Sequence, residues 1–253
     1  MLSNNPYLVD LVDLGIIDAV ARWKVITMKD LLDQVSSLNI CYSTVTRRVR
    51  KLQKMKYLDY KSLSKRRKHL FLTREGTKLT NVDTPYEMNT LTLNHDILVG
   101  AVVRAFLELP GFVFGSMYDE TYCRSFTPDG VLHSSTKKRV AIELELTQKE
   151  CSRVKSKFAQ YWDDPDFDYC YYVTNKPSLY KSYKNYLEEM DEEVQERIVI
   201  ILAYDLRCDH IFENDAMAFY MGEELHFEEA VAKTLQFECN ILSKTFAPAE
   251  NPK

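Results

Sequence analysis

Residues 43–73 read STVTRRVRKLQKMKYLDYKSLSKRRKHLFLT, and a change of period inside that stretch decides how the front of the chain folds. Val45, Val49 and Leu52 recur at helical spacing, which predicts a helix with one apolar stripe, capped at its start by Ser43. Thr44, Thr46, Arg47, Arg48, Arg50, Lys51 and Lys54 fall on the other faces, so the outer side is cationic. Beyond it the pattern turns to alternation. YLDYKSL and HLFLT read as two short strands, and SKRRK between them predicts a hairpin with Lys65, Arg66, Arg67 and Lys68 at its tip.

Upstream, Leu11, Leu14, Ile17 and Val20 predict an amphipathic helix over roughly residues 8–23. Thr27 then caps a second short helix, MKDLLDQVS, whose Leu31, Leu32 and Val35 face the first. Three helices followed by a basic hairpin is the layout of a winged helix-turn-helix. In such a module the third helix enters the major groove and the wing cations touch phosphates. The candidate DNA-binding residues are therefore Ser43, Thr44, Thr46, Arg47 and Arg50 on the helix, with Arg66 and Arg67 on the wing. A solvated helix face, or a winged helix used as a protein-binding module, is the competing reading.

Charge supports the DNA-binding reading. Residues 1–83 hold 16 of the 33 Lys and Arg but 8 of the 37 Asp and Glu, leaving 17 against 29 for the remainder, although the net charge is only -4. A basic front on an acidic body directs a polyanion to the front. The chain of 253 residues suffices for two domains, expected at 1–83 and 84–245, with NVDTPYEMNT as linker and residues 246–253 as a disordered tail. No stretch reaches the length of a membrane span and the start resembles no secretory signal, so the expectation is a cytoplasmic protein. The six cysteines form no CxxC pair, which argues for reduced, mostly buried thiols rather than zinc ligands.

In the second half, LTLNHDILVGAVVRAFLEL predicts a long apolar helix. The segments FVFGSMYD, TYCRSFT, VLH, RVAIELELT, DYCYYVTN and ERIVIILAY predict strands, with helices between the later ones and AMAFYM and LHFEEAVAKTLQFECNIL as a last strand and helix. That alternation argues for an α/β or α+β domain with a mixed sheet. Within it, PDG at 128–130 precedes VAIELELTQK at 140–149. Alternate strand residues share a face, so Glu143, Glu145 and Thr147 point one way and Ile142, Leu144 and Leu146 into the core. A hairpin centred near Thr136 places Asp129 opposite Glu143, bringing three carboxylates together. Repulsion between them is relieved by a hard divalent ion, Mg²⁺ or Mn²⁺, held by Asp129, Glu143 and Glu145. Thr147 to Glu150 fits a capping box, which predicts Lys149 in the first turn of the next helix, within reach of a phosphate. Taken singly, a PDG turn and alternating glutamates on a solvent face are commonplace.

Together, Pro128-Asp129, Glu143-Leu144-Glu145 and Lys149 resemble the PD-(D/E)xK nuclease core. With the winged helix, the helix around Asn94-His95 and VAIELELTQKECSRVKSKFAQYW, residues 8–205 resemble the plasmid replication-relaxation family, including MobC-type mobilisation relaxases. That resemblance implies a restriction-endonuclease-like second domain in a metal-dependent protein that recognises double-stranded DNA at an origin of transfer and nicks it, alongside mobilisation or coupling proteins. Glu145 stands where the nuclease pattern has lysine, which makes the site depend on a migrated lysine, Lys149 first and Lys155 or Lys157 second. It also leaves open a non-catalytic DNA-binding regulator or accessory protein with a degenerate nuclease-like domain. His95 reads as a helix packing residue, and Tyr161 is a conceivable but weak candidate nucleophile among 16 tyrosines.

Overall fold

Asp10 starts the first helix: its carboxylate accepts a hydrogen bond from the Asp13 backbone, and Asp13 returns one to the Asp10 backbone. These two bonds satisfy amide groups that a helix start otherwise leaves open. The computed structural model describes residues 9–64, 67–81, 90–117, 127–204, 206, 211–212 and 216–236. Helix α1 (Leu11–Arg22) leads through strand β1 (Val25–Thr27) into α2 (Met28–Gln34), which Thr27 caps as its sequence predicts. After a short turn through Asn39, α3 runs Tyr42–Lys54 and buries Val45, Val49 and Leu52. Its N-cap is Cys41, not Ser43, because the chain is still extended there (φ -78, ψ 159) and helical from Tyr42 onward.

The hairpin forms as β2 (Leu58–Ser64) and β3 (Arg67–Leu72), with Leu58 opposite Leu72 and Lys61 opposite His69. Strand β1, which the alternation did not reveal, pairs antiparallel with β3 and completes a three-stranded sheet of order β1-β3-β2. A single turn, α4 (Arg74–Thr77), follows. The expected linker over 82–89, the hairpin tip at Lys65 and Arg66, residues 121–126 of the expected strand and the tail lie outside the described residues.

The rest is a seven-stranded mixed sheet flanked by helices. Helix α5 (Thr90–Leu107) precedes β4 (Phe112–Ser116), β5 (Gly130–Ser134) and β6 (Arg139–Leu144). Then come α6 (Cys151–Asp163), β7 (Tyr169–Thr174), α7 (Pro177–Glu188), the short α8 (Glu192–Gln195) and β8 (Ile198–Leu202). Strands β9 (Met217–Tyr220) and β10 (Glu223–His226) and helix α9 (Phe227–Leu235) end the described chain. The order is β10-β9-β8-β7-β6-β5-β4, with β6, β7 and β8 mutually parallel and the outer pairs antiparallel.

The parallel centre is covered on both faces, as parallel strands usually are. Val140, Ile142 and Leu144 pack with Val99, Val102, Val103 and Phe106 of α5, whereas Ala141, Cys170 and Tyr172 pack with Val154, Phe158 and Tyr161 of α6 and Tyr183 of α7. Every residue of β6 after Arg139 is consequently buried, on the side carrying Glu143 as well as on the other. The two sheets share one core, since residues of α1 and α3 belong to the same buried cluster as those of α5. Polar contacts reinforce the join: Arg22 donates to the Gly115 carbonyl, Met117 N donates to the Arg22 carbonyl at 2.9 Å, and Arg104 pairs with Asp30 at 3.3 Å. No helix among the described residues is long and apolar enough to cross a membrane.

Candidate functional site

The antiparallel ladder between β5 and β6 runs from His133 opposite Arg139 to Gly130 opposite Ile142, and one step further puts Asp129 opposite Glu143, the register read from the hairpin. Gly130 makes that register accessible: a Cβ there would lie 2.6 Å from Val103 Cγ2. Asp129 is fixed by its neighbours. Its Oδ2 accepts a hydrogen bond from Leu144 N at 2.9 Å and lies 3.5 Å from His95 Nε2. His95 Nε2 is also 3.1 Å from the Leu144 carbonyl. Both neighbours of that nitrogen accept, so Nε2 carries the proton. His95 thus belongs to the site, beyond the packing role its sequence context suggested.

Glu143 points beneath α6, where only 2% of it is exposed. Lys157 Nζ donates to its Oε2 at 2.5 Å and the Tyr161 hydroxyl donates to its Oε1. Burial, and then the charge of Asp129, push the Glu143 carboxyl up to about 7 in spite of Lys157. Tyr161 is itself buried at 1% exposure and its phenol is raised well above the ordinary range by that burial. The Tyr161 hydroxyl is thus covered and engaged with Glu143 in this arrangement.

Glu145 continues the strand direction, its N–H donating to the Val173 carbonyl at 2.9 Å. It is half-buried, which raises its carboxyl, while Lys149, Lys157 and His95 oppose that shift. Lys149 precedes the α6 N-cap, Glu150, which makes no side-chain cap bond, so the expected capping box from Thr147 and the placement of Lys149 in the first helical turn are corrected. Of the migrated lysines weighed from sequence, Lys157 reaches the carboxylates, whereas Lys155 pairs with Glu189 on the outer side. Lys149, Arg153, Lys157, Gln160, Glu145 and Tyr172 line a cleft of about 300 Å³.

Both Glu143 oxygens have donors, Asp129 accepts from a backbone amide, and among the described residues no three His, Cys, Asp or Glu side chains are grouped to hold a metal.

On the other unit, α3 sorts its cations into two sets. Arg48 pairs with Asp10 and Asp13, and Lys51 pairs with Asp13, a carboxylate with no exposed surface. These two therefore hold α3 to α1 instead of facing outward. Ser43, Arg47, Arg50 and Lys54 are exposed, and Thr44 and Thr46 are partly covered. Arg67 on β3 is exposed as well, whereas Arg66 lies outside the described residues. Tyr42, 58% exposed, adds an aromatic ring to the same face, missed because the helix was expected to begin later. Of the described free cysteines only Cys170 is buried. Cys41 is exposed beside Ser43 and Thr44, whose hydrogen bonds lower its thiol to about 6.

No family model, curated protein or solved structure matches this chain.

Proposed function

We propose that the protein binds double-stranded DNA through the exposed face of α3 and the β2–β3 hairpin, in the manner of a winged helix. It acts as a regulator or accessory factor in replication or mobilisation of a plasmid, at a site such as an origin of transfer. One observation carries this reading. The fold ties Arg48 and Lys51 to the carboxylates of α1 yet leaves Arg47, Arg50 and Lys54 exposed with no ion-pair partner among the described residues. Cations kept unpaired in one row suit a polyanion of fixed spacing. Ser43 and Tyr42 at the start of the helix are where a recognition helix meets base edges. Fluorescence anisotropy with duplex DNA over a salt series tests it. Affinity should fall steeply with salt, Arg47→Ala and Arg50→Ala should each flatten that dependence, and footprinting on the protein's own replicon should map a discrete site. Salt-independent or absent binding sinks the proposal.

A second reading, metal-dependent nicking by a PD-(D/E)xK-like domain, is favoured by the approach of Asp129 to Glu143 with Glu145 two residues on. Its weakness is that Lys157 and Tyr161 hold Glu143. Supercoiled plasmid bearing the cognate origin, incubated with Mn²⁺, separates the readings. Nicking by the natural protein that an Asp129→Ala, Glu143→Ala double variant lacks establishes the nuclease; equal or no nicking leaves the DNA-docking protein.

A further inference from the structure

The cleft beside α6 holds more cationic and donor groups than its carboxylates need. Arg153, Lys157 and Gln160 project from one face of α6, and Lys149 sits four residues before Arg153, so all four reach the same hollow. Neither Lys149 nor Arg153 is in an ion pair with a described residue. The wall they face includes Tyr172, 2% exposed, whose hydroxyl is buried with no hydrogen-bond partner. A buried donor without an acceptor is costly, and a native site that keeps one has a use for it. Edge contacts to Phe158 at 4.9 Å and Tyr183 at 6.2 Å fix the Tyr172 ring, so its hydroxyl cannot swing to another partner.

The opposing charges are Glu145 in the cleft and Glu143 behind Lys157. Against them stand three cations and two neutral donors, Gln160 and Tyr172. This inventory suits a compact anion with several acceptor oxygens. At about 300 Å³ the cleft is at the small end of ligand pockets, too small for a duplex. A phosphate monoester carries roughly -1.5 to -2 charge and three acceptor oxygens, more than an internal phosphodiester offers.

We infer that the cleft formed by Lys149, Arg153, Lys157, Gln160 and Tyr172 binds a phosphate monoester, either the 5′-phosphorylated end of a DNA strand or a free nucleotide. This stands apart from duplex binding by α3, and the two are measured separately on the same protein.

The test uses the full chain and a short single strand, 3′-labelled, with or without a 5′-phosphate, read by anisotropy. The phosphorylated strand should bind on the order of tenfold tighter, equivalent to about 1.4 kcal/mol. Arg153→Ala with Gln160→Ala, both exposed positions, should abolish that preference while duplex binding stays unchanged. Tyr172→Phe, which removes only the hydroxyl, should reduce the preference. Competition then distinguishes the sources: a deoxynucleoside monophosphate that displaces the strand at equal concentration assigns free nucleotide, and one that needs large excess assigns the DNA end. Equal binding of the two strands by the natural protein overturns the inference, and so does a preference that survives in the double variant. Loss of duplex binding with the end preference intact refutes the DNA-docking proposal alone.

Discussion

Lys157 Nζ lies 2.5 Å from Glu143 Oε2, and the pair is asymmetric: the glutamate is 3% exposed at its side chain, the lysine 28%. The lysine reaches in from α6 and keeps a hydrated flank, while the carboxylate sits on a strand sealed on both faces. Removing the lysine leaves the carboxyl buried without a cation, so it either stays charged and unpaired or must take up a proton. Lys157→Met is expected to destabilise the protein by about 3 kcal/mol near neutral pH, in the range for breaking a buried pair from one side. Urea denaturation measures it, and an unchanged midpoint would show that the pair contributes nothing.

The pH dependence of Glu143 follows from the same burial. Its folded-state carboxyl at about 7 stands above the unfolded value of 4.5, so the folded state binds more protons between those values and this group's contribution to stability declines as pH rises through that window. The full effect of such a shift is on the order of 3 kcal/mol. Glu143→Gln cannot titrate. The difference in unfolding free energy between the natural protein and this variant should therefore drift against the natural protein from pH 5 to 8 and level off beyond. A flat difference would contradict the raised carboxyl.

Arg47 and Arg48 are adjacent in sequence and opposite in role. Arg48→Ala should lower stability with little change in the salt dependence of DNA binding, because Arg48 faces Asp10 and Asp13. Arg47→Ala should leave the melting temperature within experimental error and reduce the salt slope by about one. If both variants lose DNA affinity equally without unfolding, the division of cations on α3 is wrong.

Asp13 joins a capping box to two ion pairs with no exposed surface of its own. Asp13→Ala should cost about 3 kcal/mol or more, the cap supplying ~1 and the uncompensated Arg48 and Lys51 the rest. Circular dichroism melts would detect this as a loss far larger than that of Asp18→Ala on the same helix.

Gly130 is expected to tolerate no side chain. Alanine there would place a Cβ 2.6 Å from Val103 Cγ2, and overpacking of this kind costs about 1–3 kcal/mol. Adding Val103→Ala should recover part of the loss, a coupling that a double-mutant cycle measures. Additive losses would place the strain elsewhere.

The helices α1, α2 and α3, the hairpin β2–β3 and the register of Asp129 against Glu143 were legible in the chain itself, because each is set by local period, by a cap or by distance from a turn. Local pattern also identified Val45, Val49 and Leu52 as the inward stripe. It could not show which cations would be spent on α1. Arg48 and Lys51 lie 35 and 38 residues from Asp13 in sequence and meet it only when α3 crosses α1. Glu143 escaped for a related reason. Alternation tells that it faces away from Ile142, but not that α6 lies over that face, and so an apparent solvent carboxylate became a buried one held by Lys157 and Tyr161. Periodicity is a property of a few neighbouring residues and survives in the bare sequence; burial and charge pairing depend on which element covers which, and only the packed chain decides that.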